Sequence, residues 1–214
     1  MLMRATRPSL QSSLVALVVL SCGLSTHALQ LGVPARATCQ PPPHHAARAA
    51  SVSMGLLKGI PPLLSADMLY VLRSMGHGDK LAIVDCNFPA AECATKTTSG
   101  KKIELAVDLP TALDAICAVL PLDFFIESPA AYMAPQEGVA LPPLGAEVTE
   151  ALKSTIVKHC PGVKISPLER FSFYDEARSC YAVVQVLERR PYGNVVLTKG
   201  VVGPDGKDLV PDSA

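Results

Sequence analysis

Tryptophan is absent, and five tyrosines and five phenylalanines are all the aromatic surface that 214 residues carry. Stacking a large sugar or a run of bases needs several such faces, so a small ligand fits this composition better. Acidic residues are missing ahead of Asp67, where Arg4, Arg7, Arg36, Arg48 and Lys58 stand. The 19 lysines and arginines less the four arginines before Met54 leave 15 against 19 acidic residues, a net charge of −4. That core has no basic patch, which argues against nucleic acid as a partner. No CxxC pair occurs among the seven cysteines, and five of them, an odd number, fall beyond residue 53. Scattered spacing of this kind points to reduced, structural thiols; Cys117 falls on the apolar face of a predicted helix. His77 and His159 are the only histidines beyond residue 53. A dedicated zinc site needs more ligands than that, and no metal is expected.

The apolar run Leu14 to Leu24 is too short to favour a membrane span of roughly 20 residues. Arg4 and Arg7 precede it and Thr26-His27-Ala28 follows, the order of a secretory signal. Gln30 to Ser53 is rich in Ala, Pro and Arg, which suits a transit segment. Residues 1–53 therefore read as a targeting leader, signal-like over 1–28 and transit-like over 29–53. Such a pair resembles the two-part leaders of algae with plastids inside an extra membrane system. Those leaders often place an aromatic residue after the signal, where this chain has Leu29. A plastid location is expected, with secretion or a mitochondrial address as alternatives, and no membrane partner for the mature chain.

Beyond the leader, Ser65 and Asp67 open a predicted helix that ends near Met75-Gly76. Leu81–Val84 is a short buried strand, and Ala90–Lys102 reads as a polar surface loop. A strand is expected over Ile103–Val107 and a helix over Asp108–Leu120, with Pro110 in its first turn. Further strands are expected near Ala131–Met133, Val163–Ile165, Tyr181–Leu187 and Val195–Thr198. Further helices are expected over Glu147–His159 and Glu169–Cys180, with His159 favourable to the first one's dipole. This alternation implies a three-layer α/β/α domain over 54–202 with a mixed, mostly parallel sheet. Residues 203–214, rich in Gly, Pro and Asp, read as a disordered tail.

The segment Met75-Gly-His-Gly-Asp79 ends a helix, and Asp85-Cys-Asn-Phe-Pro89 follows the next strand. Glycines on both sides of His77 let the backbone bend and leave the imidazole projecting. Carboxyl ends of strands are where open α/β sheets bind ligands. One segment is thus expected to aim an imidazole and a carboxylate at one small cleft. A plain turn with a solvated ring, and an Asx-turn at Asp85, fit the same residues. Arg190-Pro-Tyr-Gly-Asn194 is a turn in which Tyr192 carries a hydroxyl and Asn194 both a donor and an acceptor; a simple hairpin fits as well. Arg170 is a fixed multi-donor suited to a polyol, or else a surface partner of Asp175 or Glu176.

Taken together, Met75–Asp79, Asp85–Pro89, Arg170-Phe-Ser-Phe-Tyr174, Tyr192-Gly-Asn194 and Lys199-Gly-Val201 resemble the ribose pyranase and fucose mutarotase family, in the family's order, over Leu56–Val202. Arg170 resembles the fucose branch, since the ribose branch usually has a histidine there. The resemblance implies a mutarotase that interconverts anomers of L-fucose or a related aldose. It implies His77 as proton donor and sugar contacts from Asp85, Arg170, Tyr192, Gly193 and Asn194; the Tyr192 hydroxyl is suited to relay a proton or to bind O1. Anomer exchange proceeds unaided in water, so no cofactor is expected. A homo-oligomer with sites near subunit contacts is also implied. Alternatives are a D-ribose pyranase and a non-catalytic monosaccharide-binding module. Cys86 in place of the usual alanine, the 90–102 loop and Ala131–Pro135 depart from the pattern. Residues 1–53 fused to a fluorescent protein are expected to deliver it to a plastid; export to the medium would overturn the leader assignment.

Overall fold

The computed structural model describes residues 55–210, so the expected leader and residues 211–214 lie outside the described residues. In chain order the elements are α1 (Ala66–Ser74), β1 (Lys80–Val84), α2 (Ala90–Ala94), β2 (Lys102–Leu105), α3 (Leu109–Cys117), β3 (Ala130–Ala134), α4 (Pro143–His159), β4 (Ile165–Glu169), α5 (Arg170–Ser179), β5 (Ala182–Val186) and β6 (Val195–Thr198). The strands form one six-stranded sheet in the order β2-β5-β1-β6-β3-β4. β1 pairs parallel with β5, β5 with β2, and β3 with β4. β6 lies antiparallel between β1 and β3.

Side-chain alternation along the strands splits the core into two layers. Leu81 and Ile83 of β1, Val184 of β5 and Leu197 of β6 face α1, α3 and α4. Ala82, Val84, Val183 and Val196 face α2 and α5. The result is the expected α/β/α sandwich around a mostly parallel sheet. β1 from Leu81 on and β6 are buried on both faces, which is why Leu81–Val84 and Val195–Leu197 read as unbroken apolar runs. α3 buries Leu109, Leu113 and Ile116 completely, each worth about 1.5–3 kcal/mol relative to exposure. α4 contributes Val148, Leu152 and Ile156 to the same layer.

The helix starts follow from their caps. The Ser65 hydroxyl accepts from the Met68 N–H at 3.2 Å, and the Asp108 carboxylate accepts from the Thr111 N–H at 3.1 Å, each satisfying a donor that a first turn leaves free. α4 has no side-chain cap and begins at Pro143, earlier than expected, with proline in its first turn. His159 ends it and meets the Asp114 carboxylate of α3 at 2.8 Å.

Three expectations need correction. The 90–102 stretch is not all loop: Ala90–Ala94 forms α2, which buries Ala90, Cys93 and Ala94 against the sheet. The fourth strand is Ile165–Glu169 rather than Val163–Ile165. Pro167 within it is tolerated because β4 is an edge strand, where a missing N–H breaks no ladder bond. The 203–214 tail is ordered over its first part. The Gly203 N–H donates to the Lys207 carbonyl at 2.7 Å, the Leu209 N–H donates to the Val201 carbonyl at 2.9 Å, and Val202 bridges Asp208.

Among the described cysteines, Cys93, Cys117, Cys160 and Cys180 are buried and Cys86 is exposed; all five are free thiols.

Past the end of β6 the chain presses on the 121–123 segment. The Gly200 N–H donates to the Pro121 carbonyl at 2.8 Å. A Cβ at Gly200 would overlap the Leu122 carbonyl and stand 2.8 Å from the Asp123 nitrogen. These are backbone atoms that cannot swing aside. Gly200→Ala is therefore expected to lower the unfolding free energy by about 3 kcal/mol, the upper part of the overpacking range, as read from urea denaturation. A change within error would show that the two segments separate easily.

Candidate active site

Because β6 runs against β1 and β3, it starts where they end: Val195 pairs with Ile83 and with Tyr132. The turn before β6 therefore shares one sheet edge with the carboxyl ends of β1, β3 and β4. Asp85 follows β1, Met133 lies near the end of β3, Arg170 follows β4, and Tyr192 and Asn194 lead into β6. With Asn87, Phe88, Tyr174 and Pro191 they line a cleft of about 230 Å³; Gly193, an expected sugar contact, is not among its lining residues. That size, below the roughly 300–1,000 Å³ of pockets for drug-sized ligands, suits one small molecule.

Asp85 and Asn194 hold each other from opposite sides of the cleft floor. The Asp85 N–H donates to Asn194 Oδ1 at 2.8 Å, and Asn194 Nδ2 donates to Asp85 Oδ2 at 2.8 Å. The other carboxylate oxygen accepts from the Asn87 N–H at 2.9 Å. Burial raises the Asp85 carboxyl above its ordinary 3.8, against the lowering bonds from Asn194 and the backbone at Asn87 and Phe88. Tyr192 is the one non-glycine residue with positive φ among the described residues, at 66°. That conformation costs about 1–2 kcal/mol, and strain of this kind gathers at functional sites. The Asn194 N–H closes the turn on the Tyr192 carbonyl at 2.8 Å, and since β5 and β6 are separated by β1 in the sheet, the segment is not a hairpin.

Arg170 begins α5, with its guanidinium 4.7 Å from the centre of the Phe171 ring. Its expected surface partners are engaged elsewhere: Asp175 pairs with Arg178 at 3.0 Å and Glu176 with Lys80 at 2.5 Å. No ion pair among the described residues includes Arg170, whose donors are left for the cleft. Phe173 is core. Tyr174 is half-buried and lines the cleft, 5.2 Å from Phe88 between ring centres.

His77 is not in this cleft. It precedes β1, whereas Asp85 follows it, and the five residues between them in the strand span about 16 Å. The expectation that one segment aims both groups at one cleft is thus corrected within a single subunit. At its own edge His77 is half exposed, and its Nε2 lies 3.0 Å from Oδ2 of the buried Asp123. Oδ1 of Asp123 accepts from the Phe125 N–H at 3.0 Å, which fixes the carboxylate. The Phe125 ring stands edge-on to the imidazole at 6.1 Å. Of the flanking glycines, only Gly78 uses a left-handed φ, 82°. Its N–H donates to the Lys199 carbonyl at 2.9 Å, and the Lys199 N–H donates to the Asp79 carbonyl at 2.8 Å. Lys199 Nζ caps α1 through the carbonyls of Leu72 and Met75 at 2.8 and 2.6 Å. The Lys199-Gly200 motif thus belongs with His77, not with the cleft.

Asp123, Met133 and Tyr174 were not singled out by sequence as site residues. Tyr174 is four residues from Arg170 and so on the same helix face, a signal that was available. Asp123 lies in an irregular stretch with no pattern to mark it. Asn194→Ala removes both bonds to Asp85 and is expected to cost about 1–3 kcal/mol of stability. A raised carboxyl favours the neutral form on folding, a contribution whole below pH 3.8 and lost as pH climbs through the folded value. Removing Asn194 lifts that value further. The loss, measured by urea unfolding, is therefore expected to be larger at neutral pH than below pH 3.8.

The chain matches the profile of the RbsD / FucU transport protein family over residues 58–202. It is 35% identical over 149 residues to the fucose mutarotase of Mus musculus, covering 70% of this chain and 97% of that protein. It is 38% identical over 146 residues to the L-fucose mutarotase of Actinobacillus pleuropneumoniae serotype 5b, covering 68% and 97%. The crystal structure of the Streptococcus pneumoniae fucose mutarotase in complex with L-fucose aligns with a TM-score of 0.60 and 34% identity, over 69% of this chain and all of that one. The motifs at both sheet edges, the mixed sheet that carries them and these likenesses over nearly the whole length of the relatives agree: the chain belongs to the RbsD / FucU transport protein family.

Proposed function

We propose that this protein is a monosaccharide mutarotase that interconverts the α and β anomers of L-fucose or a closely related aldose, with His77 as proton donor. The observation that carries this reading is the gathering of Asp85, Arg170, Tyr192 and Asn194 around one cleft of monosaccharide scale. Relatives named as fucose mutarotases, similar over nearly their whole length, support it. Arg170, at the position where the fucose branch resembles this chain and the ribose branch usually has histidine, favours the fucose-type sugar over ribose.

Opening a pyranose requires one proton to leave the anomeric hydroxyl and another to reach the ring oxygen. Imidazole serves in both directions near neutral pH. In His77 it is oriented by Asp123 at 3.0 Å and half exposed, so it can reach a ligand outside its own subunit. Tyr192 holds its hydroxyl at the cleft in a conformation the turn enforces, where it relays a proton or binds O1. Asp85 and Asn194 present acceptor and donor to adjacent hydroxyls, and Arg170 supplies donors to a third.

Since His77 and the cleft stand at opposite edges of one sheet, a complete site needs two subunits. The imidazole of one copy is then brought to the cleft of the next, in a homo-oligomer whose contact runs through the His77 edge.

Saturation-transfer NMR on the anomeric protons of L-fucose is the test. The wild type is expected to exchange α and β anomers, and His77→Ala and Tyr192→Phe each to slow exchange by about 10²-fold or more, the range of general acid–base help. The two variants co-refolded together should recover exchange that neither shows alone. Equal rates for wild type and His77→Ala across several aldoses would end the enzymatic reading. Calorimetric sugar binding without exchange would replace it with a binding module, and faster turnover of D-ribose would replace the substrate.

A further inference from the structure

Beneath the sugar-facing turn lies a buried carboxylate that the roles above do not use. We propose that Glu188 is a positioning residue: clamped by Arg190 and by the start of α3, its side chain forms the floor on which Gly193 sits and so fixes Tyr192 and Asn194 toward the sugar. This rests on the monosaccharide reading of the cleft.

Glu188 follows β5 and is 3% exposed. Each of its carboxylate oxygens is engaged twice. Oε1 accepts from the Arg190 N–H and from its Nε, both at 2.9 Å. Oε2 accepts from Arg190 Nη2 at 2.7 Å and from the Leu109 N–H, at the first turn of α3, at 3.3 Å. The Glu188 carbonyl accepts from the Cys86 N–H at 3.1 Å, one residue past Asp85. Arg190 also reaches Glu147 of α4 through Nη1 at 2.9 Å. One residue thereby joins the end of β1, the start of α3, and, through Arg190, the first half of α4.

The consequence falls on the turn. A Cβ at Gly193 would stand 2.6 Å from Glu188 Cγ and 3.5 Å from Val148 Cγ2. A glutamate free at its far end would swing away from such a contact. This one is held at both oxygens and at its backbone, so the turn passes over the stem with no room to shift. Burial pushes the Glu188 carboxyl up, but the bonds from Arg190 and the Leu109 N–H outweigh it and leave the group below its ordinary value. It is therefore ionised, and the clamp is closed at neutral pH. A buried ion pair adds little net stability over apolar residues of equal volume. What it supplies here is a rigid floor next to a residue held at a φ of 66°. Glu188 does not line the cleft, so its effect on a sugar passes through its neighbours.

The test uses the whole chain with Glu188→Gln, Arg190→Lys and, as a control for general destabilisation, Ile156→Ala in the far half of α4. Unfolding midpoints, KM and kcat for L-fucose anomer exchange, and amide hydrogen exchange at Asp85 and Asn194 are measured on each. Glu188→Gln is expected to raise KM about tenfold and to speed exchange of those two amides by a similar factor. Arg190→Lys should move both in the same direction by less. Ile156→Ala should lower the midpoint without changing KM. Unchanged KM and unchanged amide protection in Glu188→Gln would overturn the proposal. If that variant does not fold, Arg190→Lys is judged by the same two readouts. Absence of anomer exchange in the wild type would sink the mutarotase reading alone, and the amide protection at Asp85 and Asn194 would then decide the role of Glu188.

Discussion

The antiparallel run of β6 through an otherwise parallel sheet is the constraint on which both edges depend. A parallel strand in that place would start at the His77 edge and carry Tyr192–Asn194 there, away from Asp85. Running the other way, β6 starts at the carboxyl ends of β1 and β3 and finishes beside their beginnings. Its first residues deliver the strained turn to the cleft, and the residues after its last deliver Lys199 and Gly200 to the His77 bend. A single four-residue strand, buried throughout, thus places both the cleft turn and the contacts of the His77 bend.

That arrangement gives the two edges opposite characters. The cleft edge is a dense polar mesh, in which Asp85, Asn194, Glu188 and Arg190 satisfy one another and little is free to move. The other edge presents a half-exposed imidazole on a fixed carboxylate, beside the exposed ring of Phe125. The first is closed by its own hydrogen bonds; the second leaves an imidazole open to solvent.

Much of the fold was legible because its signals are local. Asp108 with Pro110 marks the start of α3, Ser65 marks the start of α1, the strands at Leu81 and Val195 are apolar runs, and that at Ala182 is broken only by Gln185. α2 was not legible, because five residues after a proline carry too little periodicity to stand out from a polar stretch. β4 was misplaced because Pro167 argues against a strand until it is known to lie on an edge. The motifs name most of the cleft's residues, and the length of the strand between His77 and Asp85 is the signal that sets the two apart. Asp123 escaped because its partnership with His77 spans 46 positions and leaves no trace in spacing.

The cysteines have a practical side. Burial pushes the Cys93 and Cys160 thiols up to about 11 and that of Cys180 to about 12, and Cys117 is raised as well. Thiolate, not thiol, reacts with alkylating reagents, so these four are shielded twice over, by packing and by protonation. Cys86 is the exposed thiol among the described residues, immediately after Asp85. A maleimide dye or spin label would therefore settle, within the described part of the chain, one residue past Asp85, giving spectroscopy a reporter next in sequence to a cleft residue without any engineered cysteine.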